Sequence, residues 1–277
     1  MGIFFNNNDS NNNNIEDFYQ NIDIPFFHPL CNVNSDRVFN RRSIRLLTYN
    51  IFLRPPPIKN NENDYKTERL LEFIDRLDDF DIVCLQEMFG TFTSRQNILI
   101  SEAVKKGFFF YHSTDTPNPI STHFIDSGLV ILSRFPIVVK DFTAFSYGVL
   151  SDQLAKKGIL YTQIEVNNTN LHLLTTHLQA SYFDSTEFKW NISFKARMDQ
   201  IKEASIIVKS FLDQYYKSKN ELVLLVGDFN VDGLSYINKK PTSITNFDDL
   251  YVEYDNLLAE FNKQQVDLCD CFYVKFR

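Results

Sequence analysis

From Ile44 onward, apolar residues gather into short runs divided by stretches in which they recur every three or four positions. The runs Ile44–Tyr49, Ile82–Leu85, Gly128–Leu132, Ile159–Val166, Leu171–Thr176 and Leu222–Val226 read as strands. Between the first two, Leu70, Leu71, Phe73, Ile74, Leu77 and Phe80 keep helical spacing, which predicts an amphipathic helix over 65–79. A long helix is predicted over 194–216, and Pro55, Pro56 and Pro57 mark a loop. Strands alternating with helices, with extra strand pairs between them, imply an α/β layered fold of mixed sheets.

Residues 1–40 are different material. Asn6 to Asn14 is nearly all Asn, low-complexity sequence unsuited to a packed core. The expectation is an Asn-rich, largely disordered segment over 1–40 and one domain over 41–277, with no internal repeat.

Composition narrows the chemistry. Apolar residues make up 44% of the 277, including 27 Phe, enough for a large aromatic core. The net charge is -7, against the basic surface that a grip on long nucleic acid needs, so no stable nucleic-acid partner is expected. Four cysteines without zinc-site spacing point to a reducing compartment. No apolar stretch approaches a membrane span, and the start lacks the features of a secretory signal. Gly2 invites acylation, but Asn6 stands where Ser or Thr would be needed. A cytoplasmic protein, touching membranes only peripherally, is the expectation.

Four predicted strands end in polar residues of metal-site type. Asn50 closes the first, Glu87 follows Leu85 and Gln86, His177 ends the run Leu171–Thr176, and Asp228 and Asn230 follow Gly227. Ligands gather where strand ends converge in layered α/β proteins. Hard oxygen donors with one histidine suit Mg²⁺, or Mn²⁺, better than zinc. Taken singly, a polar residue that ends a strand is usually only a turn residue, and His177 reads as a satisfied core histidine. Glu87, directly after an apolar strand, is by contrast a carboxylate rarely buried without a partner.

The ordered set Thr48-Tyr49-Asn50, Leu85-Gln86-Glu87, Thr176-His177 and Gly227-Asp228-Phe229-Asn230 resembles the endonuclease/exonuclease/phosphatase superfamily. The segments Phe124–Leu129, Ser133–Ile137, Asp152–Gly158 and Thr176–Ala180 resemble its neutral sphingomyelinase branch. The resemblance implies a four-layered α/β/β/α sandwich and hydrolysis of a phosphodiester with Mg²⁺, sphingomyelin giving ceramide and phosphocholine. It implies Glu87 as principal metal ligand, with Asn50, Asp228 and Asn230 binding a second ion or orienting phosphate and water. His177 would donate to the charge developing on phosphorus. Lys157 and the backbone of Gly158 would meet the phosphate, with Asp152 setting Lys157. Arg134 is explained by its strand exit before Pro136 and is left out of the site.

One departure carries weight. The family pattern closes on an Asp-His pair whose histidine is the general base, and this chain contains no Asp-His. A positioned base contributes about 10²–10⁴-fold. The sequence therefore leaves three readings open: a sphingomyelinase-like hydrolase lacking its terminal strands, a nuclease or inositol-phosphate phosphatase of the same superfamily, and a homologue that binds lipid or a partner without turnover. Loss of closing strands would leave sheet edges open and the protein poorly soluble.

Overall fold

The computed structural model describes residues 2–5, 43–58, 64–117, 123–182, 187–231, 247–266 and 268–270. Most of the Asn-rich stretch therefore lies outside the described residues.

Two βαβ units organise the fold. In the first, β2 (Leu46–Leu53) leads through α1 (Lys66–Asp75) to β3 (Ile82–Met88), parallel to β2. The sheet is completed by β4 (Phe110–Ser113) and β5 (Val130–Ser133), in the order β2-β3-β5-β4, with α2 (Arg95–Lys105) between β3 and β4. In the second, β8 (Thr169–His177) leads through α3 (Glu187–Tyr215) to β9 (Leu222–Asp228), parallel to β8. This sheet also holds β1 (Gly2–Phe5), β6 (Ile137–Ala144), β7 (Gly158–Val166) and β10 (Leu268–Asp270), in the order β10-β1-β9-β8-β7-β6. A last helix, α4 (Phe247–Lys263), precedes β10.

Three apolar layers explain why the sheets stack. Strands β3, β5, β7 and β8 are buried on both faces along most of their length, the pattern of sheets covered on both sides. Leu70, Phe73, Ile74, Leu99 and Ala103 of α1 and α2 pack on Val83, Leu85, Val130 and Leu132. Ile82, Cys84 and Ile131 face Leu160, Ile164, Leu171, Leu173 and Val226 between the sheets. Ile201, Ala204, Val208, Phe211 and Leu257 cover Ile159, Tyr161, Leu174 and Leu225 on the far side. The result is the expected α/β/β/α sandwich. No helix among the described residues is long and apolar enough to cross a membrane.

One expectation changes. Gly2–Phe5 is a strand of the larger sheet rather than part of an unpacked segment. It pairs antiparallel with β9 on one side and β10 on the other, so β9 is an inner strand of its sheet.

Candidate active site

The parallel strands of both units end side by side. In the ladders, Asn50 sits opposite Gln86 and His177 opposite Asp228. Asn50 Nδ2 bridges the two sheets, donating to Glu87 Oε1 at 3.1 Å and Asp228 Oδ2 at 2.9 Å. Its Oδ1 accepts from the Phe52 N–H at 3.0 Å, which fixes the amide orientation. One residue earlier on β3, Gln86 Nε2 reaches Thr48 and Thr175 hydroxyls at 3.2 Å each, stitching the sheets beneath the site.

Backbone geometry aims Glu87. Its φ of 57° lies in the left-handed region, which a non-glycine residue adopts only when its surroundings enforce it. The enforcement comes from the loop before β5. Met88 N–H donates to Gly128 O at 2.9 Å. Buried Asp126 accepts from Gly90 N–H at 3.0 Å, Thr91 N–H at 2.7 Å and Thr91 Oγ1 at 2.6 Å. A Cβ on Gly128 would lie 2.9 Å from the Phe89 ring and 3.2 Å from Glu87 Cα, so only glycine fits there. Asp126 and Gly128 thus position Glu87; in the sequence they were visible only as part of the Phe124–Leu129 resemblance.

Asp152 and Lys157 do meet. Lys157 Nζ donates to Asp152 Oδ2 at 2.8 Å and to Leu178 O at 2.7 Å, with Lys157 itself buried. Asp152 also accepts from the Ala180 N–H and the Tyr182 hydroxyl, at 2.8 and 2.9 Å. Asn230 Nδ2 shares the Leu178 carbonyl at 3.0 Å, and Asn230 N–H donates to Asp228 Oδ1 at 3.0 Å. Asn50, Glu87, Asp152, Lys157, Asp228 and Asn230 therefore form one bonded cluster around the end of β8. His177 lies within it, with Nε2 3.9 Å from Asp228 Oδ2.

Gly158 requires correction. Its backbone is not free to meet a phosphate: Gly158 is buried at the start of β7 opposite Ala144, and a Cβ there would fall 2.2 Å from Thr143 O. The glycine permits β6 and β7 to approach, and its carbonyl accepts from Thr176 Oγ1. Arg134, omitted from the site, indeed bonds the Phe80 and Lys106 carbonyls elsewhere.

A buried relay stands behind this cluster and had no sequence signal. Arg197 of α3 is fully buried and donates through Nε to Glu253 of α4 at 2.8 Å and through a terminal nitrogen to Gln179 O at 2.7 Å. Gln179 N–H donates to Gln200 Oε1, and its own Oε1 accepts from the Val149 N–H. Residues 178–180, which bond Lys157, Asn230 and Asp152, are thus held from both outer helices.

Charge settles unevenly over these groups. Burial pushes the Glu87 carboxyl above the usual carboxylate range, against the Asn50 hydrogen bond and Arg54. Asp152 and Asp228 lie below it. Burial opposes both, but the Lys157 charge and hydrogen bond pull Asp152 down, and His177 and Asn50 pull Asp228 down. Burial, then the Lys157 charge, lowers His177 and keeps its ring neutral.

The donor set fits a hard divalent cation. Glu87 Oε2 is buried without a hydrogen bond, its ion-pair approach being Arg54 Nε at 3.8 Å. A buried unbonded carboxylate oxygen is costly and marks a place for a cation. Among the described residues no three His, Cys, Asp or Glu side chains converge as a protein-built metal cluster. Mg²⁺ suits such a site, because it takes one or two carboxylates and completes its shell with water and phosphate oxygens.

A model of the endonuclease/exonuclease/phosphatase family matches residues 32–269. The chain belongs to that family. Among family proteins, a sphingomyelinase of Dictyostelium discoideum is 28% identical over 298 residues, covering 69% of this chain and 65% of its own length. Sphingomyelinase C of Bacillus cereus is 28% identical over 204 residues, covering 71% of this chain and 59% of its own. The chain thus spans less than two thirds of these curated relatives. A Staphylococcus aureus beta toxin crystal structure with bound magnesium ions is 26% identical, with a TM-score of 0.57, covering 79% of this chain and 70% of that one. The family match and these likenesses confirm the fold and the branch expected from the sequence.

Proposed function

We propose that the chain is a Mg²⁺- or Mn²⁺-dependent phosphodiester hydrolase whose substrate is sphingomyelin, released as ceramide and phosphocholine. The observation that carries this reading is the buried, unbonded Glu87 Oε2 beside the Asn50–Asp228 bridge, where two sets of parallel strands end. Support for the substrate comes from the relatives named sphingomyelinase, and for the cation from the magnesium-bound beta toxin.

In this reading Glu87, with the Asn50 and Asn230 amides and Asp228, would hold the cation, which when bound polarises a phosphoryl oxygen as a Lewis acid. Lys157 has two of its three N–H groups fixed by Asp152 and Leu178, leaving the third for a phosphoryl oxygen. The fixed ammonium costs no reorganisation as charge develops on phosphorus. His177, held neutral by burial, donates one N–H to the same oxygens. Water attacks phosphorus and its oxygen stays on phosphocholine, the phosphorus–oxygen bond to ceramide breaks, and the proton that the water gives up ends on the ceramide oxygen.

The nuclease reading is weakened by the net charge of -7. Full-length chain incubated with sphingomyelin in detergent, duplex DNA or an inositol polyphosphate, each with Mg²⁺ and with chelator, separates the readings. Mg²⁺-dependent phosphocholine release that exceeds the other two rates is the expected result. Faster cleavage of DNA or inositol phosphate would overturn the substrate, and absence of turnover on all three would favour the lipid-binding homologue without catalysis.

A further inference from the structure

Three loops beside the cluster expose large apolar side chains where turns ordinarily carry polar ones. Phe92 is 72% exposed, Phe124 66% and Leu154 39%. The loops are bonded to one another. Asp126 accepts from Thr91, next to Phe92, while the Phe124 and Ile125 N–H groups both donate to Leu154 O, at 2.9 and 3.1 Å. All three run directly from the site: Phe92 follows Glu87 on the β3 exit, and Leu154 lies between Asp152 and Lys157.

Phe92 is costly twice over. It sits in a turn closed by Thr93 N–H to Gly90 O, with φ 59°, a conformation that Gly or Asn adopts with least strain. Asn at this position would relieve both the backbone strain and the exposed ring. A phenylalanine held there against both preferences points to use of the ring itself.

The charges of these loops point the same way. Within 88–95, 123–128 and 150–158 the acidic residues are Asp126 and Asp152, and both turn inward onto their hydrogen-bond partners. Lys156 and Arg95, each partly exposed, stand in the same loops, and Arg54, bonded to Arg95 through its carbonyl, adds a third cation. In a chain of net charge -7 this is a locally cationic, apolar rim.

We propose that Phe92, Phe124 and Leu154 form a docking rim that inserts into the surface of a phospholipid bilayer, with Lys156, Arg95 and Arg54 at the level of the lipid phosphates. The apolar groups fit the acyl boundary and the cations the phosphate layer, as in other interfacial anchors. This deepens the proposed reading, since it brings a bilayer substrate to the mouth of the cluster around Lys157.

The test is sedimentation with phosphatidylcholine–sphingomyelin vesicles, comparing the full chain with Phe92→Asn and with Phe92→Asn/Phe124→Ser, alongside turnover of sphingomyelin dispersed in detergent. Phe92→Asn relieves strain, so folding is preserved. Each substitution is expected to weaken vesicle binding about tenfold or more, with detergent turnover changed less than threefold. Equal vesicle binding by wild type and double variant overturns the rim, as does failure of wild type to bind vesicles. Self-association of wild type that the double variant lacks, without vesicle binding, would assign the rim to a second copy instead. Vesicle binding lost in the variant while wild type turns over no substrate would leave the rim standing and the hydrolase reading fallen.

Discussion

Strand β8 carries a buried histidine near each end, and the fold treats the two oppositely. His172 is fully enclosed: its Nδ1 accepts from the Tyr161 hydroxyl at 2.7 Å, its Nε2 meets Glu221 at 3.1 Å, and the Tyr216 ring packs edge-on. His177 has a buried Nδ1 with no hydrogen bond and an Nε2 3.9 Å from Asp228. The carboxylates follow suit. Glu221 accepts from Lys217, Ser218 and Asn170, which together bring its carboxyl down to about 2 against the opposing effect of burial. Glu87 has one unbonded buried oxygen and is shifted upward by burial. One end of β8 is finished internally; the other leaves its polar capacity for something outside the protein. Incomplete satisfaction of buried polar groups, rather than their mere presence, distinguishes a site from a core.

The comparison breaks most clearly at Glu87. Glu87→Gln is expected to lower phosphodiester turnover by about 10³-fold or more, since a lost Lewis acid removes several kcal/mol of transition-state stabilisation. The same change should raise the melting temperature at pH 7. A carboxyl whose folded value lies above its unfolded one destabilises the fold as pH rises through that interval, and the amide abolishes this. Turnover and a melting scan on one preparation check both signs.

The histidines should trade effects. His177→Ala is expected to cost about 10²–10³-fold in turnover, as for a lost donor to developing charge, with little change in melting. His172→Ala leaves the Tyr161 hydroxyl and Glu221 short of partners and is expected to cost about 2–4 kcal/mol. At about 2–4 °C per kcal/mol for a chain of this size, its melting temperature should fall clearly while turnover holds.

Arg197 sharpens the contrast between holding and acting. Arg197→Met leaves Glu253 buried without its guanidinium and is expected to cost about 3–5 kcal/mol. Pairing it with Glu253→Leu should restore most of that stability. Turnover should remain about tenfold low in the double variant, because Gln179 O has lost its anchor and residues 178–180 their register. Full recovery of turnover would show the pair to be structural only.

The smallest effect is set by acid. The Glu221 carboxyl contributes stability that is fully present above its ordinary value of 4.5 and is lost as pH falls from there towards about 2. Glu221→Gln should therefore flatten the pH dependence of melting in that window and leave neutral-pH turnover unchanged.

Much of this was legible in the sequence. The buried strands read as largely apolar runs, and their polar ends point to Asn50, Glu87, His177, Asp228 and Asn230 from the sequence alone. The runs ended early because apolarity stops before the ladder does: His177 and Asp228 are still paired residues of β8 and β9. Strand β6 was missed because its burial is partial and its pattern mixed, and α2 because its apolar face is short. Gly158 misled because a glycine beside a lysine resembles a phosphate loop, whereas here it serves strand approach. The role of Asp126, which the sequence showed only within the Phe124–Leu129 resemblance, and that of Arg197, which had no signal, are set by partners 35 and 56 residues away.

The central claim is that the His177–Glu87 end of the fold holds a divalent cation, and melting with and without Mg²⁺ tests it most directly. Millimolar Mg²⁺ should raise the melting temperature of the wild-type chain, as any ligand of the folded state does, and leave Glu87→Gln unmoved. Equal shifts in the two proteins, or none in the wild type, would contradict it.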